Sequence, residues 1–234
     1  PVVFAKVLAS IDSWSDGRFM MGLGAGWMKE DYTITGITQD DALTRIERLE
    51  EAITVMRGLW GAGPFSHEGR FYSVSEIDAQ PKPISNIPIT VGGGGPKLLA
   101  MAARKADVVG INPKIVGRSI NPRSMATAAA DVVDEKIGYV KAAAGDRFDQ
   151  LELQLQVFAT VVTDDPMAVA EKMAPMFGLP PEVVLQAPYF QIGSVQQIIE
   201  NITMLRERWG ITYIAFQQDA TAAMAPVVAA LAGK

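Results

Sequence analysis

Apolar residues recur at helical spacing in several long segments of the chain. In the clearest of them, Asp41 to Trp60, the apolar positions Leu43, Leu49 and Leu59 fall on one stripe and charged residues lie off it. A Gly-Pro cluster at 61–64 follows directly and is typical of a helix end. The same spacing predicts further helices at residues 1–14, 97–105, 126–144, 166–177, 181–185, 195–209 and 220–231.

Short segments that are apolar on both faces lie between these helices and predict buried strands. They span residues 18–23, 87–91, 107–111, 151–162 and 211–216, and residues 65–73 predict a small β excursion. Strands that alternate with helices indicate a parallel sheet with crossover helices, so the fold class is α/β. Two architectures fit this pattern: a doubly wound open sheet, or a TIM-type (β/α)8 barrel of which about five βα units are present. In the second case roughly three units would lie upstream of Pro1.

Composition excludes several function classes. The 234 residues are 49% hydrophobic and 20% charged, with a net charge of −5, which gives no attraction to nucleic acid. The chain has no cysteine and a single histidine, His67, so thiol catalysis and a His or Cys metal centre are not expected. No apolar run is long enough to span a bilayer and no signal peptide is visible, so we expect a cytoplasmic protein without a membrane partner.

The segment Gly92-Gly93-Gly94-Gly95 lies between a predicted strand and a predicted helix. Glycines allow the backbone to approach a ligand closely, and the free N–H groups of a helix start favour an anion such as phosphate. Lys97 would add positive charge in the first helical turn. The sequence therefore predicts a phosphate site here, with a crowded turn that binds nothing as the alternative.

A second glycine-rich loop, Gly24-Ala25-Gly26-Trp27, follows the first predicted strand. Its spacing is not that of a dinucleotide-binding loop, and no acidic strand end follows about 20 residues later. We expect a loop that closes over a flat ring with Trp27 as a wall, or else ordinary packing of Trp27. Asn112 and Gln217 end buried strands and either face a pocket or bond to local backbone.

Two polar groups favour a structural interpretation. His67 lies in a polar stretch and is expected to be a solvated loop residue. The residues 30–32 follow the glycine loop and either face a pocket or form a solvated helix start. No carboxylate pair, nucleophile motif or metal constellation emerges, so an organic cofactor would have to supply any difficult chemistry.

Several motifs occur together along most of the chain. They are Ser15-Asp16-Gly17-Arg18-Phe19 with Gly22-Leu23-Gly24-Ala25-Gly26-Trp27, Gly69-Arg70-Phe71-Tyr72, Pro81-Lys82-Pro83 with Val91-Gly92-Gly93-Gly94-Gly95, and Asp107-Val108-Val109-Gly110-Ile111-Asn112-Pro113. In this combination the chain resembles the bacterial-luciferase-like monooxygenase superfamily, and within it a subgroup of coenzyme F420-dependent oxidoreductases.

The resemblance implies one luciferase-like (β/α)8 barrel domain over residues 1–234 that is incomplete at its N-terminal side. It also implies F420, or alternatively FMN, at the carboxyl face of the barrel, with the phosphate-bearing tail near Gly92, Gly93 and Gly94. The loop from Gly24 to Trp27 would flank the ring, and Asn112 would lie at the next strand end. Catalytic residues stay unassigned, because the family's acid and base groups belong to the first strands, and no proton-transfer role is expected at Tyr189.

The expected activity is hydride transfer between the deazaflavin and a small organic substrate that the sequence does not identify. The alternatives are an FMN-dependent luciferase-like monooxygenase and a truncated relative without catalysis. A homodimer is expected from the resemblance.

Overall fold

A computed structural model describes residues 1–117 and 121–233 of the chain. The described strands are short and lie between helices, as the alternation of apolar segments predicts. They are β1 (Met21–Leu23), β2 (Phe65–Glu68), β3 (Ser73–Ile77), β4 (Ile89–Gly93), β5 (Val108–Ile111), β6 (Glu152–Gln156), β7 (Ala159–Val162), β8 (Phe190–Gly193) and β9 (Ile211–Ala215).

Five of these strands form one parallel sheet in the order β1-β4-β5-β6-β9. Four of them lie within the segments that the sequence predicts as buried strands, and β4 extends two residues past its predicted segment, 87–91, to Gly93. Because they are parallel, their carboxyl ends meet at one edge, where ligands bind in α/β folds. The α/β class is confirmed, whereas closure into an eight-unit barrel stays a prediction.

The helices carry the crossovers between strands. They are α1 (Val2–Trp14), α2 (Lys29–Thr35), α3 (Ala42–Trp60), α4 (Pro96–Lys105), α5 (Pro122–Met125), α6 (Ala130–Ala144), α7 (Pro166–Phe177), α8 (Pro181–Gln186), α9 (Val195–Trp209) and α10 (Thr221–Leu231). Side chains cap two of the long ones: Asp41 accepts hydrogen bonds from the N–H groups of Leu43 and Thr44, and Ser194 forms a capping box with Gln197.

The core lies between the sheet and its helices. Ile89, Val91, Val109 and Leu155 on the central strands are fully buried, as is Ile53 on α3. A smaller apolar cluster lies between α9 and α10. Strand β5 is buried along its whole length, which explains why its sequence is a continuous apolar run, whereas β6 alternates between buried leucines and more exposed polar residues.

The structure corrects the prediction of one strand over residues 151–162. The chain forms β6 and then β7, because the backbone changes partner between them: Val157 N–H donates to Ala215 O and Phe158 N–H to Tyr189 O. Strand β7 pairs with β8 in a separate parallel pair, and β8 was not predicted. Residues 30–32 lie at the start of helix α2, none of whose residues is buried, so the alternative of a solvated helix start is confirmed.

The β excursion is an antiparallel hairpin, β2–β3. The interpretation of His67 as a solvated loop residue is wrong. His67 lies on β2, its side chain is 20% exposed, and its Nε2 lies 3.3 Å from Glu51 Oε1 on α3. The backbone N–H groups of Phe71 and Tyr72 donate to the same Glu51 carboxylate, so this cluster fastens the hairpin to the helix.

Candidate functional site

A cleft of about 820 Å³ opens at the carboxyl edge of the five-stranded sheet. Segments that follow β1, β4, β5, β6 and β9 line it, together with the start of α3 and residues 124–125. All residues that the sequence predicts as cofactor-binding line this cleft: Gly24, Ala25, Gly26, Trp27, Gly92, Gly93, Gly94, Gly95 and Asn112. The structure therefore brings them together, and the role of each in binding a cofactor stays a prediction.

Arg45 on α3 holds the loop that follows β1. Its Nε donates to Ala25 O at 3.0 Å and to Gly26 O at 2.9 Å, and its guanidinium also donates to Asp40 O. Gly26 has a φ of +68°, and a Cβ there would lie 2.1 Å from the Tyr32 hydroxyl, so only glycine fits. The loop is thus fixed in place, with Trp27 38% exposed at the rim.

Different neighbouring atoms exclude a side chain at each of the three glycines that follow Val91. A Cβ on Gly92 would lie 2.8 Å from Asn112 Nδ2, and one on Gly93 would lie 2.5 Å from the Leu98 side chain. A Cβ on Gly94 would lie 2.4 Å from Lys114 N, a backbone atom. Packing within the chain accounts for these three glycines, so their number alone is not evidence for phosphate.

Gly95 differs, because a Cβ there would meet no atom within 4 Å. It is the N-cap of α4 and no side chain caps this helix. Pro96 occupies the first turn, which leaves the N–H groups of Lys97 and Leu98 directed out of the helix start. An anion in the cleft would be stabilised by these N–H groups and by the helix dipole.

The charges that line the cleft have one sign. Arg45, Lys97 and Lys114 line it, and no Asp or Glu does so among the residues that the structure describes. The chain as a whole carries a net charge of −5, so the cleft is a basic region on an acidic protein. Such a focused positive potential favours an anionic ligand.

Three carboxamides line the cleft at the ends of neighbouring strands: Asn112 after β5, Gln156 at the end of β6 and Gln217 after β9. The Oδ1 atom of Asn112 is buried and has no hydrogen-bond partner in the described part of the chain. Because buried polar atoms are nearly always hydrogen-bonded, this oxygen points to a donor on a bound molecule or a water.

An aromatic wall closes the cleft beside β7. Phe158 lines the cleft, and its ring stacks on Tyr189 with centroids 5.4 Å apart. Tyr189 is fully buried and does not line the cleft; burial raises the pKa of its phenol, so a proton-transfer role there is not supported. Residues 30–32 lie on α2 and do not line the cleft either.

Sequence reasoning missed Arg45, Lys114, Gln156 and Phe158 as cleft residues. Lys114 could have been found, because it follows Asn112-Pro113 directly at a strand end. Arg45 carries no local signal, since its partners lie about 20 residues earlier in the chain.

Neither a metal cluster nor a membrane-crossing helix is found in the part of the chain that the structure describes. Within residues 1–117 and 121–233, no three His, Cys, Asp or Glu side chains come together as metal ligands. Across the same described ranges, no helix has the length and apolar character needed to cross a bilayer.

Comparison with known proteins identifies the family. The model of the luciferase-like monooxygenase family matches residues 1–210. The F420-dependent glucose-6-phosphate dehydrogenase of Microbacterium testaceum is 34% identical over 107 residues, which are 46% of this chain and 32% of that protein. The pyrimidine monooxygenase RutA of Methylobacterium radiotolerans is 31% identical over 170 residues, or 72% of this chain and 42% of that protein. The alignments therefore span less than half the length of either relative.

Solved structures share the fold at low identity. An F420-dependent secondary alcohol dehydrogenase in complex with an F420–acetone adduct superposes with a TM-score of 0.69 at 18% identity, covering 92% of this chain and 68% of that one. A riboflavin lyase with modified FMN and riboflavin gives a TM-score of 0.71 at 13% identity, covering 98% and 67%. The parallel sheet and the family match agree: this chain belongs to the luciferase-like monooxygenase family.

Proposed function

We propose that this chain holds the cofactor of an F420-dependent oxidoreductase, which transfers a hydride between the deazaflavin and a small organic substrate. The observation that carries the proposal is the cleft itself, which is lined by glycine backbone and lysines, lacks described acidic residues and lies at the carboxyl edge of a luciferase-like sheet. Relatives with F420 in their names support the choice of cofactor.

The residues at the ends of β4 and β5 would hold the anionic tail. The open position at Gly95 leaves room for a phosphate against the N–H groups of Lys97 and Leu98. Lys97 and Lys114 add two ammonium groups, and neither is in an ion pair with any residue that the structure describes. Arg45 has a different task, because its guanidinium already binds three backbone carbonyls.

The carboxamides at the ends of β5, β6 and β9 would hold the ring. Gln156 and Gln217 can donate to and accept from the carbonyl and N–H groups on the edge of a flat heterocycle, and the unpartnered Asn112 Oδ1 can accept from its N–H groups. Strands β4 and β9 are three positions apart in the sheet, so the outer ends of these two regions, at β4 and at β9, are about 14 Å apart. That spacing suits a ring and an anionic group joined by a short chain.

When bound, F420 supplies a ring carbon that accepts or gives up a hydride. The chain's own residues orient the ring, with Phe158 as an apolar wall that excludes water from it, whereas Trp27 follows β1 and lines the opposite side of the cleft. We assign no acid or base, because the described cleft lining offers lysines and carboxamides but no carboxylate or histidine.

An FMN-dependent monooxygenase is the second candidate. The match to a pyrimidine monooxygenase extends over 72% of this chain, and one structural neighbour contains modified FMN. The positive charge of the cleft favours F420, since its tail carries carboxylates in addition to a phosphodiester, whereas FMN ends in one phosphate. The single domain and the homodimer that the resemblance implies stay predictions.

Fluorescence titration of the folded chain with oxidised F420 and with oxidised FMN tests the proposal. We expect tighter binding of F420, and we expect Lys114→Gln to weaken F420 binding about fivefold or more while it weakens FMN binding less. Tighter binding of FMN would replace the proposal with the second candidate. Binding of neither by a chain that circular dichroism shows to be folded would refute both for this chain.

A further inference from the structure

Lys136 is a buried lysine that the proposed cofactor chemistry does not use. It lies on α6 and is 1% exposed, and its Nζ donates to the backbone oxygen of Thr127 at 2.6 Å. None of the carboxylates in the described part of the chain is within ion-pair distance of it. Burial lowers the pKa of Lys136 to about 8, which reflects how poorly the ammonium is compensated.

The acceptor of Lys136 belongs to one wall of the cleft. Thr127 Oγ1 accepts a hydrogen bond from Lys114 N at 2.7 Å and donates to Ser124 O at 2.7 Å. Ser124 Oγ in turn accepts from Val116 N at 2.9 Å. Lys114 and Ser124 both line the cleft, so the bond to Thr127 anchors a hydrogen-bonded unit that forms this wall.

The same ammonium contacts the aromatic wall. Nζ lies 5.8 Å from the centroid of the Tyr189 ring, within reach of a cation–π interaction. The Tyr189 ring stacks on Phe158 at an interplanar angle of 18°, and Phe158 lines the cleft. Lys136 therefore touches the supports of two different walls without lining the cleft itself.

We propose that Lys136 is a positioning residue that fixes the wall formed by residues 113–115 and 124–125 relative to the aromatic wall at Phe158. It thereby sets the geometry in which the cleft holds its ligand. This proposal rests on the proposed function for the identity of that ligand. The statement that Lys136 fixes the two walls relative to each other does not depend on the ligand.

Burying the Lys136 ammonium is energetically unfavourable, and this distinguishes a positioning role from a purely structural one. Replacing a poorly compensated buried ion by an apolar side chain of similar volume is often neutral or stabilising. A purely structural Lys136 would therefore be dispensable for binding once the fold is retained. Lys136→Met keeps most of the volume and removes the charge, the donor and the cation–π contact.

Two measurements on the full chain test the proposal. In hydrogen–deuterium exchange without ligand, we expect Lys136→Met to speed exchange of the Lys114 and Val116 amides about threefold or more, because the wall opens more often. In fluorescence titration with F420 and FMN, we expect the tighter-binding probe to lose about five- to tenfold in affinity, while the melting temperature is unchanged or higher.

Lys141→Met is the matched control, because Lys141 is on the same helix and stacks over Phe148, away from the cleft. It should alter neither measurement. Tyr189→Leu, compared with Tyr189→Phe, which keeps the ring, tests whether the aromatic support matters: only the leucine variant should weaken binding. If Lys136→Met does not fold, Lys136→Leu replaces it in both measurements, with the same expected results.

The proposal would be overturned if the Lys114 and Val116 amides of Lys136→Met exchanged at the wild-type rate. It would also be overturned if these amides exchanged faster but the affinity for the probe stayed unchanged. Equal effects of Lys141→Met would also overturn it. If the wild-type chain binds neither probe, the proposed function fails, and the exchange measurement still decides whether Lys136 fixes the wall.

Discussion

Gly95 allows the anion site to be tested without disturbing the fold. A substitution at Gly93 would press on Leu98, whereas a Cβ at Gly95 meets nothing within 4 Å. Gly95 has φ −101° and ψ 151°, which any residue adopts, and it is the N-cap of α4. Aspartate and asparagine are both favoured N-caps and have nearly the same shape. The pair Gly95→Asp and Gly95→Asn therefore differs chiefly in one negative charge.

The size of the effect follows from that charge. A carboxylate at the N-cap would lie about 5 Å from an anion held at the same helix start, and at an effective dielectric constant of about 20–40 the repulsion is about 2–3 kcal/mol. Affinity should fall about 30- to 150-fold in Gly95→Asp. Stability should change in the opposite direction, by a few tenths of a kcal/mol, because aspartate caps the helix and interacts favourably with its dipole.

The assay is fluorescence titration with the tighter-binding of F420 and FMN, with urea unfolding measured on the same samples. Gly95→Asn should stay much closer to the wild type in affinity than Gly95→Asp. If the two variants lose affinity equally, the effect is steric and the charge argument is wrong. If neither loses affinity, the anionic group of the ligand is not bound at the start of α4.

Two further predictions concern the scaffold. Asp12 is fully buried and accepts hydrogen bonds from Ile84 N, Ser85 N and Ser85 Oγ. In urea unfolding, Asp12→Ala should therefore lower the free energy of unfolding by about 3 kcal/mol, because three donors lose their acceptor. The control Asp31→Ala, on the exposed helix α2, should change it little. Burial raises the pKa of Glu51, but hydrogen bonds from the Tyr72 and Phe71 N–H groups lower it overall. The Glu51 carboxylate therefore contributes to the free energy of unfolding above about pH 4.5, and this contribution is lost as the pH falls through the folded-state pKa. Urea midpoints of the wild type and Glu51→Gln should therefore differ at pH 7 and converge in acid; a constant difference would contradict this assignment.

Strands β4 and β5 of the central sheet could be predicted because they are largely buried and are therefore nearly continuous apolar runs. Strands β6 and β9 also carry exposed residues; β6 was indicated by its alternation of apolar and polar residues, and β9 by its β-branched and aromatic residues. Strand β8 could not be predicted, since Phe190 to Gly193 is too short to show a period, although Pro188 marks the end of the preceding helix. The break between β6 and β7 was invisible for another reason. Both halves are β-formers, and the change of partner at Phe158 depends on Tyr189, about 30 residues later.

The position of the candidate site could be predicted from one rule: ligands bind at the carboxyl ends of parallel strands. The two glycine loops lie at such ends. The rule does not reach residues that act across the fold. Arg45 lies on a helix and holds a loop about 20 residues earlier in the chain, and His67 forms a partly buried contact with Glu51 although its neighbours are polar. Such long-range pairs leave no periodic trace in a single sequence.

The buried charges of this protein differ in how well they are compensated. The Asp12 carboxylate accepts three hydrogen bonds. Removing it would leave three donors unsatisfied, so stability alone explains this group. Lys136 has one backbone acceptor and one aromatic face, and its removal would leave a single carbonyl unsatisfied. Since this is the charge that contacts the supports of two cleft walls, its variants are the ones in which loss of binding should occur without loss of stability.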